Sequence, residues 1–183
     1  ARSRCAELPW VSIESGDVTA LPYADASLDA AVCAQVYEYV PELAKALSEL
    51  HRALKPGGRA LIVDTDWEST VWQNDDNARM RKILDAWDKH CTHPQLPRTL
   101  GEKLRQAGFV VERIDVIPII NPQQDPNTYS YPMIETIRKY VRARGGIAEQ
   151  EANAWAEDLR ARKGSGEYFF SLNRYVFLAR KPS

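Results

Sequence analysis

Asp64 and Asp66 stand directly after the apolar run Ala60-Leu61-Ile62-Val63, and Trp67 follows them. A carboxylate at the end of a buried strand can take a proton from a hydroxyl or a carbon acid, which makes the pair candidate catalytic residues. Gln35, Tyr37 and Tyr39 follow a second apolar run, Leu28 to Ala34, and face the same mouth; a phenol there suits the same task. Asp17 follows Gly16 after the short alternating stretch Trp10 to Glu14. An acid at a strand's C-terminal end can accept a hydrogen bond from an adenine amino group, although a plain turn residue has the same local sequence. Asn173 and Arg174 form a polar break in the aromatic run from Tyr168 to Leu178 and are a further candidate contact for a substrate. His90, Cys91 and His93 offer three local ligands without a fourth, so no metal site is expected.

The elements that must position these residues alternate in type. Trp10 to Glu14 predicts a half-buried strand ended by Ser15-Gly16-Asp17. Leu28 to Ala34 is nearly all apolar, as a central parallel strand covered on both faces would be. From Pro41 the period changes: Leu43, Leu47, Leu50 and Leu54 recur at helical spacing until Gly57-Gly58 stops the pattern. The run Arg59 to Asp64 predicts the next strand, and strand, helix and strand together make a parallel crossover. A helix is expected after Asp75-Asp76, with Met80, Ile83, Leu84 and Trp87 on one face, and another from Arg98 to Ala107 closed by Gly108. Phe109 to Ile117 reads as a strand that Pro118 and Pro122 should end. Two helical patterns follow, Ile134, Ile137 and Val141 on one and Trp155 and Leu159 on the other, before an aromatic-rich last strand from Tyr168 to Leu178. The organisation expected is α/β, with a core over residues 1–120 and 167–183 and a helical insertion over 121–166.

Composition narrows the partners. The 183 residues carry 24 basic and 25 acidic side chains, a net charge of -1, which gives no field to gather nucleic acid or an anionic bilayer. No apolar run approaches the roughly 20 residues of a membrane span, and the first residues lack a signal peptide's apolar stretch. Cys5, Cys33 and Cys91 are odd in number and widely spaced, which suits free thiols in a reducing cytoplasm better than disulfides or structural zinc. A small-molecule partner is expected, and nothing in the sequence sets the oligomeric state.

The stretch Gly16-Asp17-Val18-x-x-Leu21-Pro22-Tyr23-x-Asp25-x-Ser27-Leu28-Asp29, followed by a helix and by Leu54-Lys55-Pro56-Gly57-Gly58-Arg59, resembles the class I methyltransferases of the ubiquinone/menaquinone-biosynthesis and small-molecule type. The resemblance implies a Rossmann-like sheet whose final strand inserts antiparallel beside its predecessor. It implies S-adenosylmethionine as cofactor, with Asp17 and the backbone of Val18 at adenine and with Ala34 and Gln35 flanking ribose and methionine. It places Asp64, Asp66 and Trp67 where the acceptor meets the methyl group, and it makes the insertion a substrate lid. The sequence departs from the family at Tyr39, where a His is usual. It also contains no glycine-rich loop after a first strand, so an N-terminally truncated sheet is expected, short of roughly 60 residues at about 30 per strand-helix unit. Ala1 to Glu7 then reads as the tail of an upstream helix, and the fragment should bind cofactor poorly. Two rival readings are a degenerate methyltransferase fold serving as a binding or oligomerisation module, and a glycosyltransferase using Asp64-Thr65-Asp66 as a metal-holding acid pair.

Overall fold

The computed structural model describes residues 2–183. Four strands form one sheet: β1 (Leu28–Ala34), β2 (Leu54–Trp72), β3 (Val110–Asn121) and β4 (Phe170–Arg180), in the order β1-β2-β4-β3. β1 and β2 are parallel, joined through α1 (Leu43–Ala53), as the change of period requires. β4 runs antiparallel between β2 and β3, so the last strand does insert beside its predecessor.

Helices α1 and α3 (Pro97–Gln106) cover one face of this sheet. Leu47 and Leu50 from α1 meet Leu100 and Leu104 from α3 over Ala60, Ile62 and Phe177 in a first core cluster. Three further helices, α2 (Asn77–Asp88), α4 (Ser130–Ala143) and α5 (Glu149–Ala161), build a second cluster around the far halves of β2 and β4. There Met80, Ile83 and Trp87 meet Ile134, Ile137, Val141, Trp155 and Leu159, with Leu84 half-buried against them, the apolar positions that periodicity singles out on those helices. The Asp76 side chain accepts from Arg79 N at 2.9 Å, so the α2 start rests on a side-chain cap as well as on charge. Trp72 Nε1 donates to the Tyr168 hydroxyl (3.0 Å), which donates to Ser130 Oγ (2.8 Å), tying β2 to the start of α4 through buried polar atoms.

Four expectations change. Residues 11–16 form no strand, because no neighbouring strand supplies a hydrogen-bond ladder for them. The expected helix tail is a 3-10 turn, Arg2–Cys5; Ala1 lies outside the described residues. β1 is covered on one face only: Ala31 and Cys33 pack on the first cluster, while Ala30 and Ala34 are exposed and Val32 is 75% exposed. β3 runs through Pro118, which pairs with Asn173, since an edge strand has no ladder bond to lose on its outer side.

The turn at Lys55 to Gly58 loops out of the β1–β2 ladder, where pairing passes from Leu28 with Leu54 to Ala30 with Arg59. Gly57 has φ of 78°, and a Cβ on Gly58 would sit 2.9 Å from the Lys55 carbonyl oxygen. Both glycines are therefore required by backbone geometry at the end of the sheet remote from Asp64.

Candidate active site

The C-terminal end of β1 and the middle of β2 bring Gln35, Glu38, Asp64, Thr65 and Trp67 together. β2 runs on to Trp72, so Asp64, Asp66 and Trp67 lie within the strand and not past it, because β4 goes on pairing with β2 beyond its last pair with β1, Ala34 with Val63. Gln35 N donates to Val63 O at 2.7 Å and Gln35 Nε2 donates to Thr65 Oγ1 at 2.6 Å, which locks the end of β1 to β2. Gln35 holds φ of 54°, a left-handed conformation uncommon outside glycine, and this turns the chain into a short 3-10 segment, Tyr37–Tyr39. That segment aims Glu38 back at β2: Thr65 N donates to Glu38 Oε2 at 3.2 Å. The Glu38 carbonyl accepts from Thr92 N and His93 N, each at 2.9 Å, so the loop after α2 clamps it from behind.

Glu38 and Asp64 are both 0% exposed. Glu38 Oε1 and both Asp64 oxygens have no hydrogen-bond partner among the described residues, and neither acid has an ion pair there. Burial pushes Asp64 up to about 7, helped by the Glu38 charge and opposed by the backbone N–H groups of Glu38 and Val36. Glu38 is raised by its own burial, against the Thr65 N–H and the Tyr39 and Trp67 side chains that face it. Trp67 is 5% exposed, stands edge-on to Trp87 and His90, and keeps its indole N–H without a formed hydrogen bond. Arg174, opposite Thr65 on β4, lies with its guanidinium carbon 4.9 Å from the centre of the Tyr129 ring and forms no ion pair among the described residues.

The other sequence-singled residues are placed differently. Asp66 is engaged at both oxygens by Arg98, Nε to Oδ2 and Nη2 to Oδ1 at 3.0 Å each, and Arg98 also pairs with Glu68 at 2.8 Å. Tyr37 lies inside the first core cluster, whereas Tyr39 is 45% exposed at the rim. Asn173 is half-buried and its backbone N–H goes to Ser69 Oγ at 2.9 Å. Asp17 sits in an exposed loop, where its Oδ1 accepts from Thr19 N (2.8 Å) and Thr19 Oγ1 (2.9 Å); these bonds hold its carboxyl below the usual range. Its Oδ2 is uncommitted. Val18 packs half-buried against the first cluster, and Ala34 is open at the end of β1. Sequence reasoning passed over Glu38 and Tyr129. The signal for Glu38 was an acid enclosed by aromatic and apolar residues just past a buried strand; Tyr129 carried none, because its partner Arg174 is remote in sequence.

A cleft of about 740 Å3 lies between α2 and the Gly145-Gly146 turn, and none of these acids lines it. A second, of about 470 Å3, runs along β2 and α2 and reaches Trp67. We place the site by its uncommitted polar atoms rather than by cleft size, because those atoms have a chemical need that an open surface groove lacks.

Residues 1–62 match a family model described as a methyltransferase domain. Among curated proteins, the chain is 29% identical over 181 residues to an uncharacterized 37.1 kDa protein in transposon TN4556 of Streptomyces fradiae, covering 98% of this chain and 51% of that protein. It is 31% identical over 110 residues to a ubiquinone/menaquinone biosynthesis C-methyltransferase of Bartonella bacilliformis, covering 60% of this chain and 39% of that one. The chain thus spans about half or less of the length of these relatives. A solved structure of an inferred methyltransferase from Bacillus halodurans superposes with a TM-score of 0.63 at 18% identity, over 100% of this chain and 77% of that one, which shows a common fold. In sequence over residues 1–62 and in fold, the chain is thus similar to methyltransferases.

Proposed function

We propose that the whole protein transfers a methyl group from S-adenosylmethionine to a small-molecule acceptor in the cytoplasm. The observation that carries this reading is the pair of uncommitted buried acids where β1 ends beside the middle of β2, in a chain similar to methyltransferases. The residues present suit the cofactor: Asp17 keeps one carboxylate oxygen free for an adenine amino group, and Ala34 and Gln35 leave an open surface at the strand end. When bound, S-adenosylmethionine supplies an electrophilic methyl group. Asp17, the backbone of Val18, Ala34 and Gln35 would hold it. Asp64 would accept the acceptor's proton, Trp67 and Tyr39 would wall the acceptor, and Arg174 and Asn173 would contact its polar end.

Methyl displacement needs little covalent help, so proximity and orientation carry much of the work, about 7–11 kcal/mol in favourable cases. Helices α4 and α5 serve as a lid that excludes water. Asp66 supports the site through Arg98 and does not act as a free base, and the same engagement leaves the metal-holding reading of Asp64-Thr65-Asp66 without support. No helix of the described residues is long and apolar enough to cross a membrane, which fits a small-molecule substrate in water. The test is incubation of the whole protein with methyl-labelled S-adenosylmethionine and a panel of hydroxyl, carbon-acid and amine acceptors, with and without chelator. Label transfer that survives chelation is expected, and reversible loss of transfer on chelation would return Asp64 and Asp66 to consideration as metal ligands.

A further inference from the structure

The two buried acids are near enough for the Glu38 charge to act on Asp64, and neither has an ion pair among the described residues. Glu38 approaches from the 3-10 segment after β1, and Asp64 from the middle of β2, one residue past its last pairing with β1. Apart from β4, the elements around them add groups that cannot neutralise a second negative charge. Cys33 comes from β1 and Tyr37 and Tyr39 from the 3-10 segment; Cys91 follows α2, Tyr129 precedes α4, and Trp67 presents an indole N–H from β2. Arg174 of β4 is the cation on this side, and its effect on Glu38 is the smallest of the influences there. Three of the four carboxyl oxygens have no hydrogen-bond partner among the described residues. Two carboxylates in so dry an environment cannot both ionise near neutral pH, and their protons titrate as a property of the pair.

We infer that Glu38 is a positioning residue for Asp64: the two carboxyls hold one proton between them, and this singly charged pair takes the acceptor's proton through Asp64. The inference rests on the methyltransferase reading of the same site. In the step, an acceptor O–H or C–H bond gives its proton to the pair, and the electron pair of that bond stays on the acceptor as the nucleophile. The pair passes from one proton and one negative charge to two protons and none. The negative charge passes to the acceptor, where bonding to the methyl group consumes it, and the proton returns to solvent when the site opens. Glu38 need not touch the acceptor. Its part is to stop Asp64 from behaving as an ordinary, weakly basic carboxylate, while its Oε2 keeps Thr65 in register.

Two readouts test this on the whole protein. First, carbon-13 NMR of carboxyl-labelled Asp and Glu, without cofactor, should show one protonated carboxyl persisting at neutral pH, which disappears in Glu38→Gln and in Asp64→Asn. Two carboxyls that both ionise in the ordinary acidic range would overturn the shared proton. Second, the acid limb of the kcat/KM profile should move to lower pH by about one unit or more in Glu38→Gln, whose amide oxygen can still accept from Thr65 N. Glu38→Asp, which restores the charge, should return the limb toward the wild-type position. A limb unmoved in Glu38→Gln, with only its height reduced, would make Glu38 structural. A protein that shares the proton but transfers no methyl group to any acceptor would overturn the catalytic role together with the methyltransferase reading beneath it. Methyl transfer with an unmoved limb would remove the role of Glu38 alone.

Discussion

The acids of the N-terminal motifs and the two acids buried beside the end of β1 are held in opposite ways. Arg52 spans the first group: it donates to Glu49, to Asp25 at 2.7 Å, and to the carbonyls of Leu21 and Tyr23, so the turn before β1 is clamped onto α1. Lys55 pairs with Asp29 at 2.7 Å beside the glycine turn. Asp25 and Asp29 are exposed, Glu49 is half-buried, and all three are satisfied. Glu38 and Asp64 are buried and have no ion pair among the described residues. The motif residues by which the chain is recognised thus hold the scaffold's turns, whereas the groups with unmet chemical need lie a few residues beyond them. A fold keeps such a group at a cost in stability, which is why it marks a site.

That contrast can be broken by substitution. Asp64→Asn in the whole protein should lower methyl transfer by about 10²–10⁴-fold, the usual worth of a positioned base, with S-adenosylmethionine affinity kept; Asp29→Asn should change transfer little. Next in size is the second cluster. Trp155→Ala, at 2% exposure among Trp72, Met80 and the α4 side chains, should cost about 3–5 kcal/mol in chemical unfolding. The same cluster means that replacing residues 129–163 with a Gly/Ser linker would bare Trp72, Met80 and Trp87. Such a variant should lose acceptor use much more than cofactor binding, provided that circular dichroism shows the sheet intact. Unimpaired transfer would make α4 and α5 a structural element rather than a lid.

The pH dependence of stability separates the same two groups. Asp64 has a folded pKa raised from 3.8 to about 7, so the native state binds its proton more tightly than the unfolded chain does. Its contribution is therefore fully present below about pH 4 and is lost as pH rises toward 7, a change on the order of a few kcal/mol. Asp29, lowered by the Lys55 hydrogen bond, acts in the opposite sense: its contribution is present at neutral pH and lost on acidification. Urea unfolding of Asp64→Asn across pH 4–7 should show a weaker fall than the wild type. Parallel curves would mean that Asp64 carries no raised affinity for its proton.

Periodicity exposed α1, α2 and the apolar faces of α4 and α5, because helix burial repeats within a few residues. Composition exposed β1 and the start of β2. The open face of β1 at Val32 was hidden, since an apolar strand has the same sequence whether one face is covered or two. The continuation of β3 through Pro118 was hidden because edge position is a property of the whole sheet. In the site, Asp64 and Trp67 were legible as residues following a buried apolar run, although β2 continues through them to Trp72. The engagement of Asp66 by Arg98, 32 positions away, was not, and it separates two acids that look equivalent in sequence. Asp17 was expected at a strand end and lies in a loop, with Thr19 as its partner.

Asp17 therefore offers the most direct test of the central claim, that this is part of an S-adenosylmethionine-dependent methyltransferase. Calorimetric titration of the whole protein with S-adenosylmethionine should show binding, weakened by about 1–3 kcal/mol in Asp17→Ala, the usual loss for an unpaired hydrogen-bond partner. Asp25→Ala, which removes an exposed ion pair, should bind as the wild type does. Equal affinity in all three proteins would take Asp17 out of the cofactor site, and no binding by the wild type would contradict the methyltransferase reading itself.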